Sequence, residues 1–241
     1  MIFNTSLLST AYFPPIEYFV AIANSKLVEI DALEMYQKQS YRTRCHINSA
    51  NGLLVLTIPV LRGGEIESER NHKLPITEIK IDYSKPWVQQ HKRSIEAAYK
   101  SSPFFEYYVD DIFPILDAKE QSLFNLNYNL ITKLIELLGL NPNLKILNLP
   151  QQNPTENIPI PNNLLPDKID LRTIIHPKKD SYLIDKLALN KPYYQVFTNK
   201  QGFIKNLSII DLLFNEGPNS ISFLESHSNR DQVLLESHSN R

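Results

Sequence analysis

"SLLSTAYFPPIEYFVAIANSKLVEIDAL", residues 6–33, decides the fold. Residues 6–12 open with apolar side chains and read as a short buried strand. Pro14 and Pro15 then suit a helix start, because proline presets φ and its missing N–H is not needed in the first turn. Ile16, Phe19, Val20 and Ala23 recur at helical spacing and give that helix one apolar stripe. "KLVEIDAL" (26–33) alternates apolar and polar positions, as a half-buried strand does. Strand, helix and strand in about 30 residues make a βαβ unit, whose strands run parallel. The predicted fold class is therefore α/β: a mainly parallel sheet opened by this unit, with a hairpin and helices packed on it. The loop "YFPP" (12–15) then lies at the carboxyl end of the first strand, where open α/β sheets bind ligands.

Outward from this unit, Asn51-Gly52 is a hairpin-turn signal. It predicts pairing of residues 38–47 with 53–60, where "LLVLTIPV" is apolar enough for a central strand. "ITEIKID" (76–82) reads as a further alternating strand. Trp87, His91, Ile95 and Tyr99 fall four apart on one helical face, and Pro103 interrupts the pattern before it restarts. "SLFNLNYNLITKLIELLGL" (122–140) is amphipathic and ends at Gly139, a good C-cap. Residues 141–166 carry six prolines and many asparagines, which suits an irregular connection, a surface linker before a lid. "SIIDLLFNEG" (208–217) reads as a short helix stopped by Gly217-Pro218. Residues 1–223 read as one α/β domain. "LESHSNR" occurs at 224–230 and again at 235–241, a polar repeat expected to form a disordered tail.

Composition limits the function. Twenty-five basic and 26 acidic side chains leave no global charge to attract nucleic acid or a membrane surface. No run approaches 18 apolar residues, so no membrane span is expected. Cys45 is the only cysteine, which excludes an internal disulfide and a cysteine-rich zinc site. The first residues lack a basic, then apolar, leader pattern, so a cytoplasmic protein is expected. Six glycines cannot spell a dinucleotide fingerprint or a Walker loop, and no particular cofactor is implied. The histidines are dispersed, without metal-ligand spacing.

Local charge is more informative. "YQKQSYRTRCHI" (36–47) places Lys38, Arg42, Arg44 and His46 close together with no acid among them. As a strand, period 2 puts all four on one face. Arginine holds phosphate or carboxylate bidentately and lysine adds a compact charge, so the stretch reads as an anion site or as a solvated strand face. His91 on its apolar stripe reads first as a hydrogen-bonded core residue and second as a general base. Arg172 and His176, four apart in "DLRTIIHPKK" (170–179), would add a second basic contribution to the same pocket, or form an exposed turn before Pro177. Tyr12 is the aromatic best placed to meet a ligand at the first strand's end.

Four stretches together resemble the WbqC-like protein family: "STAYFPPIEYF", "YQKQSYRTRCHI" with "NGLLVLTIPV", "WVQQHKRSIEAAYKSSPFFEYY", and "DLRTIIHPK" with "IIDLLFNEGP". The last resembles a subgroup common in the Bacteroidetes. One departure from the resembled pattern stands out: this chain has Thr43-Arg44 where many members carry Asn-Arg. The resemblance implies a setting of surface-polysaccharide and O-antigen synthesis. It implies a transferase that moves an aminoacyl, glycyl-type or related group from or to an activated sugar. The partner would be a small anionic substrate such as a nucleotide sugar or an activated acyl donor. In that scheme His91 and Arg44 are catalytic, and Tyr12, Lys38, Arg42, Arg172 and His176 bind the ligand. The alternative is a non-catalytic nucleotide-sugar or glycan-binding partner in a polysaccharide assembly complex.

Overall fold

The computed structural model describes residues 3–61, 74–147, 168–179, 184, 189 and 191–225. The opening unit forms as predicted, with shifted bounds: β1 (Phe3–Leu8), α1 (Ile16–Ala23) and β2 (Ser25–Asp31). β1 and β2 are parallel, with Ser6 opposite Val28 and Leu8 opposite Ile30. The first strand starts earlier than expected and ends at Leu8, because Ser9 to Pro15 turn away at the carboxyl edge. There the Tyr12 N–H donates to the Tyr41 carbonyl (2.8 Å), and Phe13 takes a positive φ of 41°.

The sheet has four parallel strands in the order β5-β2-β1-β6. β5 (Leu144–Leu147) arises inside the stretch read as irregular, and β6 (Lys168–Asp170) was not foreseen. The question of a lid falls mainly on residues 148–167, which lie outside the described residues.

The hairpin is real but shorter and separate. β3 (Arg44–Ser49) and β4 (Gly52–Thr57) form their own antiparallel pair. Residues 38–43 are turn, not strand, so the four cations do not share one face. β4 is not central: Leu53 and Val55 are 52% and 42% exposed, while Leu56 is buried. "ITEIKID" is also not a strand. It makes a 3-10 turn (Ile76–Glu78) and isolated bridges to Val60 and Ser122.

Helices α2 (Trp87–Tyr99), α3 (Phe105–Asp117) and α4 (Leu123–Leu137) follow. α2 turns Trp87, His91, Ile95, Ala98 and Tyr99 inward and packs on β3. The Ser122 side chain caps α4 by accepting from the Asn125 N–H at 3.4 Å. At that length Ser122→Ala should cost about 0.5–1 kcal/mol, seen as a lower urea midpoint at unchanged slope. α5 (Ile209–Glu216) and α6 (Ser220–Glu225) close the described chain and pack on α1, with Leu224 buried. Gly217 joins them at φ 54°, where an added Cβ would lie 2.5 Å from the Phe104 ring. The tail residues from 226 onward lie outside the described residues. Among the described residues no helix is long and apolar enough to cross a membrane.

Candidate functional site

Parallel strands deliver their ends to one edge, so β1, β2 and β6 bring Ser9, Asp31 and Asp170 together there. The chain after β2 then carries Glu34 to Lys38 across the same edge. An open cleft of about 540 Å³ results, lined by Glu34, Tyr36, Lys38, Arg42, Arg172 and the apolar Met35.

Its floor is a buried ion pair. Arg42 Nη2 donates to Glu34 Oε2 and to Ser9 Oγ (2.7 Å), and Nη1 donates to Gln37 Oε1 (3.1 Å). Both side chains are nearly sealed, at 7% and 4% exposure. Glu34 Oε1 also accepts the Thr10 N–H (3.2 Å). Burial raises the Glu34 carboxyl above its ordinary pKa, and the Arg42 charge and hydrogen bond offset part of the rise. From behind, Asn127 Nδ2 on α4 donates to the Arg42 carbonyl (2.8 Å) and to Thr10 Oγ1 (3.2 Å), fixing the loop that carries the pair.

Arg172 forms the opposite wall. It donates to Asp170 through Nε (3.0 Å) and Nη2 (2.6 Å), and to Asp31 through Nη1. These hydrogen bonds hold Asp170 below the usual carboxylate range. The Arg172 side chain stays one-third exposed, while Lys38 is exposed at the cleft mouth.

The basic stretch therefore sorts into different environments. Lys38 and Arg42 reach the cleft. Arg44 sits half-buried on the hairpin, and its side chain makes no hydrogen bond or ion pair among the described residues. Thr43 is buried and its side chain hydrogen-bonds Tyr36. The stretch itself holds no acid, but Glu34, just upstream of it, pairs with Arg42.

Tyr12 and His91 meet each other rather than the cleft. Tyr12 is fully buried and its hydroxyl lies 2.8 Å from His91 Nδ1, with Trp87 edge-on to both rings. His91 is 5% exposed, and burial pushes its pKa down to about 4, against a weaker upward pull from the Thr57 backbone. At neutral pH it is an uncharged core imidazole. His176 also misses the cleft and shares a separate cavity with His46 and Tyr41. Cys45 is buried, and burial lifts its thiol well above the range of a reactive cysteine.

The acids Asp31, Glu34 and Asp170 escaped the sequence reading. Glu34 was signalled only by proximity to the basic stretch, and the two aspartates only by ending strands whose pairing is non-local. Among the described residues no group of three His, Cys, Asp or Glu could hold a metal ion.

A parallel α/β sheet with a charged cleft at its carboxyl edge defines the class of protein. The chain belongs to the WbqC-like protein family, whose pattern matches residues 10–160 and 181–223. The uncharacterized protein Rv1507c of Mycobacterium tuberculosis (strain ATCC 25618 / H37Rv) is 25% identical over 244 residues. That alignment covers 92% of this chain and 97% of the relative. Comparison with solved structures gives no match.

Proposed function

We propose that the carboxyl-edge cleft binds a small anionic donor, a nucleotide sugar or an activated acyl compound, and that the protein is a transferase of surface-polysaccharide synthesis. The group moved would be aminoacyl, glycyl-type or related, from or to an activated sugar. The observation that carries the binding half is the cleft: cationic Lys38 and Arg172 at its rim, and the Glu34–Arg42 pair at its floor. Lys38 and the exposed edge of Arg172 would meet a phosphate or carboxylate. Glu34, with its raised pKa, would take the proton of an attacking amine or hydroxyl as the bond from the donor's transferred group to its activating group breaks and the activating group leaves with the electron pair. The transfer half rests on the family resemblance. His91, sealed against Tyr12, has no part in this scheme.

The second reading is a non-catalytic nucleotide-sugar or glycan-binding partner. It is favoured by the neutralised Arg42 and the buried His91.

A low-salt thermal-shift screen of nucleoside diphosphate sugars, nucleotides, coenzyme A derivatives and amino acids tests both. One ligand class should raise the melting temperature of the wild type, and Lys38→Ala should weaken that ligand about tenfold or more. Mass spectrometry of the hit with candidate acceptors then separates transfer from binding. A hit that Lys38→Ala leaves intact, or no hit at all, removes the cleft as the site.

A further inference from the structure

A second cavity of about 320 Å³ lies between the hairpin and the chain on either side of it. His46 comes from β3, His176, Lys178 and Lys179 from the segment after β6, and Lys205 from the segment before α5. Among the described residues the lining contains no Asp or Glu. Leu53, Ile184, Ile204 and Leu207 supply an apolar wall, and Tyr41 stands edge-on to His46 at 5.5 Å.

Among the described residues no carboxylate pairs with Lys178, Lys179 or Lys205. Among the described residues Lys178 Nζ donates to the neutral Gln39 amide oxygen. Among the described residues the carboxylate of Glu17 is tied to the wall, where it accepts from Asn206 Nδ2 at 2.9 Å. Arg44, two residues from His46 on the same strand face, adds positive field from the hairpin. The imidazole of His176 is oriented for donation. Its Nδ1 accepts the Lys178 backbone N–H at 3.1 Å, which leaves Nε2 as the protonated, donating nitrogen.

We propose that this cavity binds a phosphomonoester, independently of the cleft: the lysines and His176 hold the phosphate, and the apolar wall takes a compact carbon body. Three ammonium groups with no carboxylate partner among the described residues match a dianion better than a monovalent carboxylate. The volume sits at the low end of ligand pockets, which suits a monoester more than a dinucleotide-sized donor. The segment with His176, Lys178 and Lys179 falls largely between the two stretches that match the family pattern. The site is therefore inferred from this chain's own residues.

The test titrates the full chain with inorganic phosphate and with phenyl phosphate at fixed ionic strength, by calorimetry. Saturable one-to-one binding is expected, with phenyl phosphate the tighter of the two. The double variant Lys179→Ala/Lys205→Ala changes two exposed side chains, and should weaken both ligands about tenfold or more. His176→Gln should weaken them less, while Lys38→Ala and the distant Lys100→Ala should not. Absence of saturation at millimolar phosphate overturns the site, as does an equal loss in Lys100→Ala. Loss in Lys38→Ala alone would move the anion to the cleft, which overturns this inference and leaves the proposed function standing.

Discussion

Arg42→Ala is expected to cost about 3–5 kcal/mol of stability at pH 8, because it leaves the Glu34 carboxylate buried without its counter-charge. The two single deletions should differ in pH dependence. Glu34 can shed its charge by taking a proton, and burial has already raised its pKa. In Arg42→Ala the lowering influence of Arg42 is gone, so the carboxyl pKa rises further. The variant should then recover stability as pH falls from 8 to 5. Glu34→Ala leaves a guanidinium that cannot deprotonate, so its loss should persist across the same range. The double variant Glu34→Leu/Arg42→Met removes both charges together and should lie within about 1–2 kcal/mol of wild type. Trp87, the single tryptophan and buried on α2, reports urea unfolding for all four proteins. If Arg42→Ala falls within about 0.5 kcal/mol of wild type, the pair is not the buried structural contact described here. A folded double variant also tests function, since it keeps Lys38 and Arg172 and lacks only the floor of the cleft.

Why the pair was missed shows what the sequence carries and what it does not. The βαβ unit was legible because its signal is local: prolines, a helical stripe and an alternating strand within one short stretch. α2 and α4 were legible for the same reason, since a 3.6-residue period survives over thirteen or fifteen residues. β5 and β6 span only four and three residues, too short for a periodicity, and exist as strands because β2 and β1 offer them partners. "LLVLTIPV" misled for a related reason. An apolar run normally means a central strand, yet here the outer side chains Leu53 and Val55 stay exposed. The residues read as a candidate anion site are separated by contacts that are non-local. Residue type drew attention to Arg42, Arg172 and His176. It could not say that Arg172 would find Asp31, 141 positions away, while His176 would find His46 in another cavity. Charge clusters are visible in one dimension, and their neutralisation is decided in three.

The same limit hid Asp211, whose replacement should produce the second large effect. Asp211 lies in the first turn of α5 and is fully buried. Its carboxylate accepts from Tyr99 Oη (2.8 Å), Tyr193 Oη (2.5 Å) and Gln195 Nε2 (3.1 Å). Tyr99 Oη in turn accepts the Asn48 N–H of the hairpin (3.2 Å), so one carboxylate ties α2, α5, β3 and the 193–195 segment together. Desolvation nevertheless outweighs these three donors and pushes the Asp211 pKa up to about 6. Because the folded value lies above the unfolded one, the native state takes up the proton more readily. The resulting stability is fully present below about pH 4 and is lost as pH rises through about 6. By pH 8 the charged, buried form costs about 3 kcal/mol relative to acid, an order-of-magnitude figure from the shift alone. Asp211→Asn abolishes that titration. The difference in unfolding free energy, wild type minus variant, should therefore grow by a few kcal/mol as pH falls from 8 to 4, whatever its value at pH 8. Subtraction cancels every other titrating group common to the two proteins. Tyr193→Phe supplies the opposite perturbation: it removes a donor to the charged form, costs about 1.5–3 kcal/mol at pH 8, and moves the window upward. A flat difference between pH 8 and pH 4 would mean that the three donors already hold Asp211 at an ordinary pKa. The network would then stabilise the junction of α2, α5 and the hairpin by hydrogen bonding alone.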